Sequence, residues 1–600
     1  AELIAAKLHE HQCKHVFAIS GAGNMFLFDA IDRHPELEYV CPHHEQAGAM
    51  AAVAYTRMSN RGALGVMMTT AGPGAINALT GLLNGWADSI PMLMISGQEK
   101  SASIKIGRKL RMWGVQGFDV IRTVSHFCKY AVMITDPQSA GYQVDRAIYE
   151  ATHGRPGPVW LDVPMDMQSA VVDLERMDKF VPPVTERRDC TEIAAQVHGM
   201  LIGARRPVFI LGNGIRLAGG KDLIPQLLSQ YQIPIITAWS GMDMIDSAQP
   251  NYFGHAGVYG GRSANFIVQN SDLLVSIGSR LAIPQIGYDL AEYARGAKKV
   301  VVEIDEHELA KLTPAVDLPI QADARDFIVS LLEVSKGGPP IRPVQWLAKC
   351  EDWKQRYPLI EPKHHVNKPR AINTYRFIDE LNRHFLDGDL VVADAGAAHT
   401  CTQQLIHLRP GMKFIATTGL GEMGYGLPGA IGAAFSQPGQ RVILITGDGS
   451  MMMNLQELQT IAHHQLTIKI FLYDNDGYLT IRNTQNALFQ GRQAGSGRKT
   501  GVSCPDFLKV AAAFGIRTCA IENFSEAPDG IDRALSGDGP TICVVYTDPE
   551  QIFVPKLSVS TNVDGVLVSP PLEDLSPLIP RSQLRDEMIV GVHPKSESLG

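Results

Sequence analysis

Short β-branched runs that end in glycine-rich turns and lead into helical patterns recur along the whole chain. They are FAISGAGN, VMMTTAGPGAIN, FILGNGIR, VSIGSR, VVADAGAAH and ITGDGS. Strand, crossover helix and next strand laid down in that order make parallel sheets, and parallel sheets gather ligand contacts at the carboxyl ends of their strands. The pattern predicts an α/β protein of doubly wound parallel sheets. At 600 residues the chain is too long for one core, and about three or four domains are expected. Two Pro- and charge-rich stretches read as connectors: ERMDKFVPPVTERRD, and SKGGPPIRPVQW running on to YPLIEPKHHVNKPR. They divide the chain into residues 1–175, 190–335 and 370–550, followed by a Pro- and Ser-rich tail, 551–600, expected to drape over the surface rather than form a core. No short internal repeat is apparent.

Composition narrows the function. The net charge is −8, and no basic tract or aromatic-interleaved stripe is present, so nucleic acid is not an expected partner. Apolar runs fall far short of a membrane span, and the charged first helix, AELIAAKLHEHQ, does not read as a signal peptide. The 9 cysteines are scattered without metal-ligand spacing, as expected for reduced thiols in a cytoplasmic protein.

The most informative stretch is VILITGDGSMMMNLQEL, residues 442–458. A turn needs the glycines but not the acid between them, Asp448. A second strand, IKIFLYD, ends in DNDGY, placing Asn475 27 positions after Asp448. That is the length of one strand–helix–strand unit, so both residues should end neighbouring parallel strands on the same edge. A carboxylate and an amide oxygen there suit Mg2+, which prefers oxygen ligands and is often completed by phosphate. Gly449 lets backbone amides approach a phosphate, and the helix starting at Ser450 offers its positive end. The bipartite pattern reads as a magnesium–diphosphate anchor.

Gly-Asp-Gly followed by Asn at this distance resembles the cofactor motif of thiamine-diphosphate enzymes. The resemblance implies metal ligation by Asp448, Asn475 and the main-chain carbonyl of Gly477. One departure is Asp474, where the family usually has a first Asn.

In the first block, Gly21-x-Gly23 with an acid, Glu45, about 20 residues on also fits a dinucleotide site with the acid on a ribose. That reading is weakened by Phe26 at the third glycine position, and it leaves Asp448 and Asn475 unexplained. The HHEQ stretch resembles the glutamate motif of thiamine enzymes. By that resemblance Glu45 lies beside N1′ of the aminopyrimidine and stabilises the imino tautomer, whose nitrogen takes the proton from thiazolium C2. A glutamate at a helix start otherwise serves the helix dipole. Gly72, Pro73, Gly74 and Asn77 match the loop lying against the pyrimidine in acetohydroxyacid-synthase-like enzymes. Met423 in GLGEMGYG, with Gly421 before it, matches the residue over which the cofactor bends. Gly396 in DAGAAH belongs to the same cofactor-binding set, and His43 or His44 would line the reaction centre.

The resemblance spans residues 1–550 in the order pyrimidine-binding, central and diphosphate-binding domains. In acetohydroxyacid synthase the central domain holds FAD without a redox task. Gly212, Gly214, His255, Gly278, Ser279, Arg280, Asp305 and Asp323 match those contact stretches; the alternative is a ligand-free scaffold. Three departures concern the acceptor. Pro284 stands where the synthase has an acceptor-orienting Arg, Thr484 where it has a Trp, and Ala397-Ala398 replace a Gln-His pair. A missing Arg removes bidentate recognition of a carboxylate, and a missing Trp opens space. KLRMWGVQGFDVI, with Gln116 near the reaction centre, and DGYLTIRNTQNALF resemble instead a branch acting in bacterial surface-sugar pathways. Its members decarboxylate pyruvate and join the two-carbon unit to the ketone of a nucleotide-linked deoxy sugar, as in yersiniose-type branched sugars.

The resemblance therefore implies a transferase or lyase: a carboligase using thiamine diphosphate, Mg2+ and FAD, acting on pyruvate and a ketone or nucleotide keto-sugar. Acetolactate synthesis is the close alternative. It also implies a homodimer or dimer of dimers with shared sites. A flavin oxidoreductase resembling pyruvate oxidase and a non-catalytic nucleotide-binding module are the readings from other classes.

Overall fold

The computed structural model describes every residue except 61, 108, 185, 186, 314 and 600. The first expected connector therefore falls partly, at 185 and 186, outside the described residues.

Three parallel sheets carry the fold, as the alternating pattern predicts. The first holds His15–Ala18 (β1), Glu38–Val40 (β2), Gly65–Thr69 (β3), Met92–Gln98 (β4), Tyr130–Met133 (β5) and Pro158–Pro164 (β6), in the order β2-β1-β3-β4-β6-β5. The middle sheet holds Pro207–Leu211 (β7), Ile235–Thr237 (β8), Leu273–Ile277 (β9), Lys298–Glu303 (β10) and Leu318–Gln321 (β11), in the order β11-β10-β9-β7-β8. The third holds Leu390–Ala393 (β12), Lys413–Ile415 (β13), Val442–Gly447 (β14), Ile468–Asp474 (β15), Arg517–Ile521 (β16) and Thr541–Tyr546 (β17), in the order β13-β12-β14-β15-β17-β16. The first and third sheets thus share one topology, a repeat at the level of fold that no short sequence period reveals. Strands such as VILIT are buried along their length because helices cover both faces, hence their unbroken apolar runs.

The first and third units meet through two small-residue helices. Glu45–Met58 (EQAGAMAAVAYTRM) lies on Gly426–Ser436 (GLPGAIGAAFS) so closely that a Cβ on Gly432 would come within 2.1 Å of the Ala51 carbonyl. At the end of the first of these helices Arg57 is buried. Its Nη2 donates to Asp243 Oδ1 of the middle unit at 3.0 Å and to the Phe414 carbonyl of the third at 3.3 Å. Arg216 also binds Asp243, so a buried ion triad ties all three units together at one point.

The tail differs from expectation. Leu572, Leu575, Leu584 and Met588 are buried in the core of the middle unit, together with Trp346, Cys350 and Trp353 of a helix, Val344–Arg356, inside the second connector. Trp353 Nε1 donates to Glu587 at 2.6 Å. Apolar side chains at 346, 350 and 353 follow the helical period, so one face of this helix needs cover, and the tail supplies it. Replacing Leu584 by Ala should cost about 2–5 kcal/mol of stability, the usual range for a buried Leu. A denaturant midpoint identical to wild type would show the tail to be a surface strap.

Candidate active site

The site is built in two halves on different units. In the third sheet, β14 pairs in parallel with β15, with Gly447 opposite Tyr473. Asp448 therefore leaves one strand exit beside the exit carrying Asn475. Its carboxylate is buried and accepts three backbone N–H groups: Gly449 to Oδ1 at 2.7 Å, and Gly477 (2.8 Å) and Asn475 (3.3 Å) to Oδ2. Burial, opposed by those amides, raises its pKa to about 6. Among the described residues Asn475 Oδ1 is buried without a hydrogen-bond partner, and the Gly477 carbonyl accepts from Leu479 N–H at 3.1 Å, which leaves it a second lone pair. A carboxylate, an orphaned amide oxygen and a carbonyl at one turn are a donor set suited to a hard cation. Gly477 holds φ at +100°, which favours glycine.

Around this turn the Met423 methyl lies 3.5 Å from the Cβ position of Gly449, whose other side is closed by the Tyr478 ring. Ser450 is buried in the short helix Asp448–Met451. Gly421, at φ +74°, is open on its Cβ side, and Gly396, at φ +80°, starts the helix Ala397–Leu405. Ala397 and Ala398 are buried there. Thr484 sits on the exposed side of the helix Leu479–Leu488, its hydroxyl donating to the Thr480 carbonyl at 3.1 Å.

The other half lies at the exits of the first sheet. Glu45 opens its helix, and its Oε2 accepts from Asn77 Nδ2 at 3.0 Å. A Cβ on Gly74 would stand 3.2 Å from Glu45 Oε1, so the Gly-Pro loop and the acid share one wall. Gly72, at φ +67°, packs on the backbone of Gln116, whose side-chain amide donates to the Ala71 carbonyl at 2.9 Å. Pro73 occupies the first turn of the helix Pro73–Asn77, where a missing N–H costs nothing. Gly21 and Gly23 lie against Thr70, with Gly23 N–H donating to its hydroxyl at 3.1 Å. His44 caps the helix, its Nδ1 accepting from Gln46 N–H at 3.1 Å, and His43 N–H donates to Glu457 of the third unit at 2.9 Å. Among the described residues no hydrogen bond or ion pair joins Glu45 to Asp448 within the chain.

In the middle unit, Gly214, Gly278, Ser279, Arg280, Pro284 and Asp323 line one solvent-open cleft. It also borders the first and third units through Asp88, Arg155 and Thr418. Gly212 and Gly214 interlock with Gly278; a Cβ on Gly212 would meet the Gly278 carbonyl at 2.1 Å. Asp305 stands behind the wall, held by Arg155 at 2.8 Å. His255 is buried behind Trp239, its pKa lowered by burial to about 4 and its Nε2 unpartnered. Sequence reasoning missed Arg155, which crosses from the first unit to Asp305 and Glu308, and Glu457, although QEL directly follows the Asp448 turn.

Glycine-rich exits on two sheets of equal topology, one carrying an isolated acid and the other a cluster of oxygen acceptors, are the arrangement of an α/β cofactor-binding protein. The family patterns described as thiamine pyrophosphate enzyme N-terminal TPP binding domain, central domain and C-terminal TPP binding domain match residues 1–121, 194–331 and 394–545. The chain is 31% identical over 555 residues to the acetolactate synthase large subunit of Cyanidium caldarium, covering 90% of this chain and 92% of that protein. It is 31% identical over 549 residues to the isozyme 2 large subunit of Escherichia coli K12, covering 91% and 95%. Isozyme 1 of that organism is 29% identical over 562 residues. The chain belongs to the thiamine pyrophosphate enzymes, in their acetolactate synthase-like group. Among the described residues no helix is long and apolar enough to cross a membrane.

The orphaned Asn475 oxygen gives a direct test. Asn475→Ala should weaken Mg2+-dependent thiamine diphosphate binding by about 10- to 100-fold, the scale of one lost contact to a charged group. Calorimetry showing unchanged, metal-independent binding would refute the anchor.

Proposed function

We propose that the protein is a pyruvate-decarboxylating carboligase that transfers the resulting two-carbon unit to a ketone, giving a branched tertiary alcohol. Asp448, Asn475 and the Gly477 carbonyl would hold Mg2+ and through it the diphosphate. Thiamine diphosphate, when bound, supplies the carbon nucleophile that attacks pyruvate and carries the two-carbon unit. The chain's own part is positional and protonic. Glu45, with Oε2 fixed by Asn77, would hold a proton toward the pyrimidine of the bound cofactor. The Gly72–Pro73 loop, backed by Gln116, sets the wall beside it. Met423, beside Gly449, would support the cofactor.

FAD would lie in the middle cleft, whose wall brings Gly214, Gly278, Ser279, Arg280 and Asp323 together. A second copy of the chain supplies the missing half of each site. In support, Ile76 beside Asn77 is 42% exposed, and Met452 and Met453 after the Asp448 helix are 41% and 46% exposed.

The acceptor is read as a ketone, including nucleotide-linked keto-sugars, rather than a second 2-oxo acid. The observation that carries this is the pair Pro284 and Thr484. The Pro284 carbonyl is used by Val258 N–H at 2.8 Å, and the Thr484 hydroxyl is turned onto its own helix. Neither offers a carboxylate a cation, and Thr484 leaves space. Acetolactate synthesis is the second reading, favoured by the relatives' names.

With equal pyruvate and cyclohexanone, mass analysis should find the cyclohexanone-derived tertiary alcohol competing with acetolactate, and Thr484→Trp should suppress it selectively. Acetolactate alone, from wild type and variant alike, would sink the ketone reading. Glu45→Gln should cut turnover by about a hundredfold or more, the scale of acid–base roles, while cofactor affinity holds. FAD should copurify and stay oxidised during turnover; bleaching at the turnover rate would make the enzyme an oxidase.

A further inference from the structure

Glu457 is fully buried on the helix Glu457–His463, which follows the Asp448 turn. No lysine, arginine or histidine among the described residues forms an ion pair with it. A buried acid without a counter-charge is costly, and burial raises its pKa to about 7. Its oxygens are nevertheless spoken for. Oε1 accepts from His43 N–H at 2.9 Å, with His44 N–H also turned toward the carboxylate, and Oε2 accepts from Thr460 Oγ1 at 2.7 Å.

These two amides belong to the residues just before Glu45. His44 is extended (φ −151°, ψ 140°), and its ring takes the Gln46 N–H, so the chain turns from strand exit into helix at this point. The turn is short and only partly covered: Cys41 and His43 are exposed, His44 and Glu45 half-buried, and Pro42 buried. Pro42 fixes φ at its own position alone, so His43 and His44 need holding from outside. Glu457 grips its backbone from the third unit, and Asn77 grips the Glu45 side chain from the first.

We propose that Glu457 is a positioning residue for Glu45, fixing the His43–His44 backbone so that the acid meets the pyrimidine in one geometry. This rests on the catalytic reading of Glu45 given above. The link is made within one chain, whereas the cofactor that Glu45 serves is anchored on the partner copy. Glu457 therefore ties each acid to the helix that follows its own chain's metal turn.

A misplacement of about 1 Å can cost about a hundredfold in rate. Glu457→Ala should lower kcat about 10- to 100-fold, while KM for pyruvate and thiamine diphosphate affinity stay within about twofold. In the cofactor-free protein, amide exchange of the peptide spanning residues 40–47 should quicken by about tenfold, the loss of one hydrogen bond of typical net worth. Glu457→Gln keeps an oxygen for His43 N–H and should restore both. Glu457→Asp, one methylene too short to reach, should repeat the Ala result if Ala does not fold. Thr460→Val, which spares the His43 contact, should leave exchange of that peptide slow.

Unchanged exchange in Glu457→Ala or Glu457→Asp overturns the proposal, as does a kcat loss equal in the Ala and Gln variants. A parallel assay of Glu45→Gln separates the two failures. Unchanged turnover there overturns the acid and this proposal with it. A turnover loss there, with Glu457→Ala unmoved in both exchange and turnover, overturns this proposal alone.

Discussion

A single buried carboxylate, Asp448, gathers the exits of two neighbouring strands. It has left water and is repaid by three backbone N–H groups, from Gly449, Asn475 and Gly477, rather than by a cation of the protein. The amides hold the turn that also carries the unpartnered Asn475 amide oxygen and the Gly477 carbonyl. The rest of this half of the site is arranged around that turn. Tyr478 and Met423 flank it, and the helix carrying Glu457 follows it and reaches the first unit.

The second constraint is that the acid and the cation turn sit on separate units of the same topology. Two equal sheets can face each other about a pseudo-symmetric interface, and here they are pressed together by helices made of Ala and Gly, with the Arg57–Asp243–Arg216 triad pinning the middle unit to the contact. Breaking such a triad on one side leaves a charge buried and unpaired, so the joint resists sliding. That rigidity suits a cofactor enzyme, in which the protein contributes placement and electrostatics more than reacting groups.

Much of this was legible in the sequence where the physics is local. The β14 and β15 runs, their glycine exits and the Asp448–Asn475 spacing determine one strand–helix–strand unit, so their neighbourhood follows from chain length alone. The Gly72–Pro73 turn beside Glu45 was legible through the motif it resembles. What escaped depends on contacts between distant segments. Glu457 and His43 are 414 positions apart, and no local signal pairs them. The tail's buried leucines are too sparse for a period, although the 346, 350 and 353 pattern in the adjoining connector marked a helix face in need of cover. The equal topology of the first and third sheets leaves no repeat to read, because the two sheets share a strand order and not a sequence.

The central claim is that each working site takes Glu45 from one copy and the Asp448 turn from another. Mixing Glu45→Gln chains with Asp448→Ala chains, after dissociation and reassembly, tests it most directly. Each mixed dimer would then contain one site with both groups intact and one with neither. Activity should return to about a quarter of wild type, from half the dimers carrying one good site each. Two inactive proteins that stay inactive after verified subunit exchange would contradict the account and place both groups of each site on one chain.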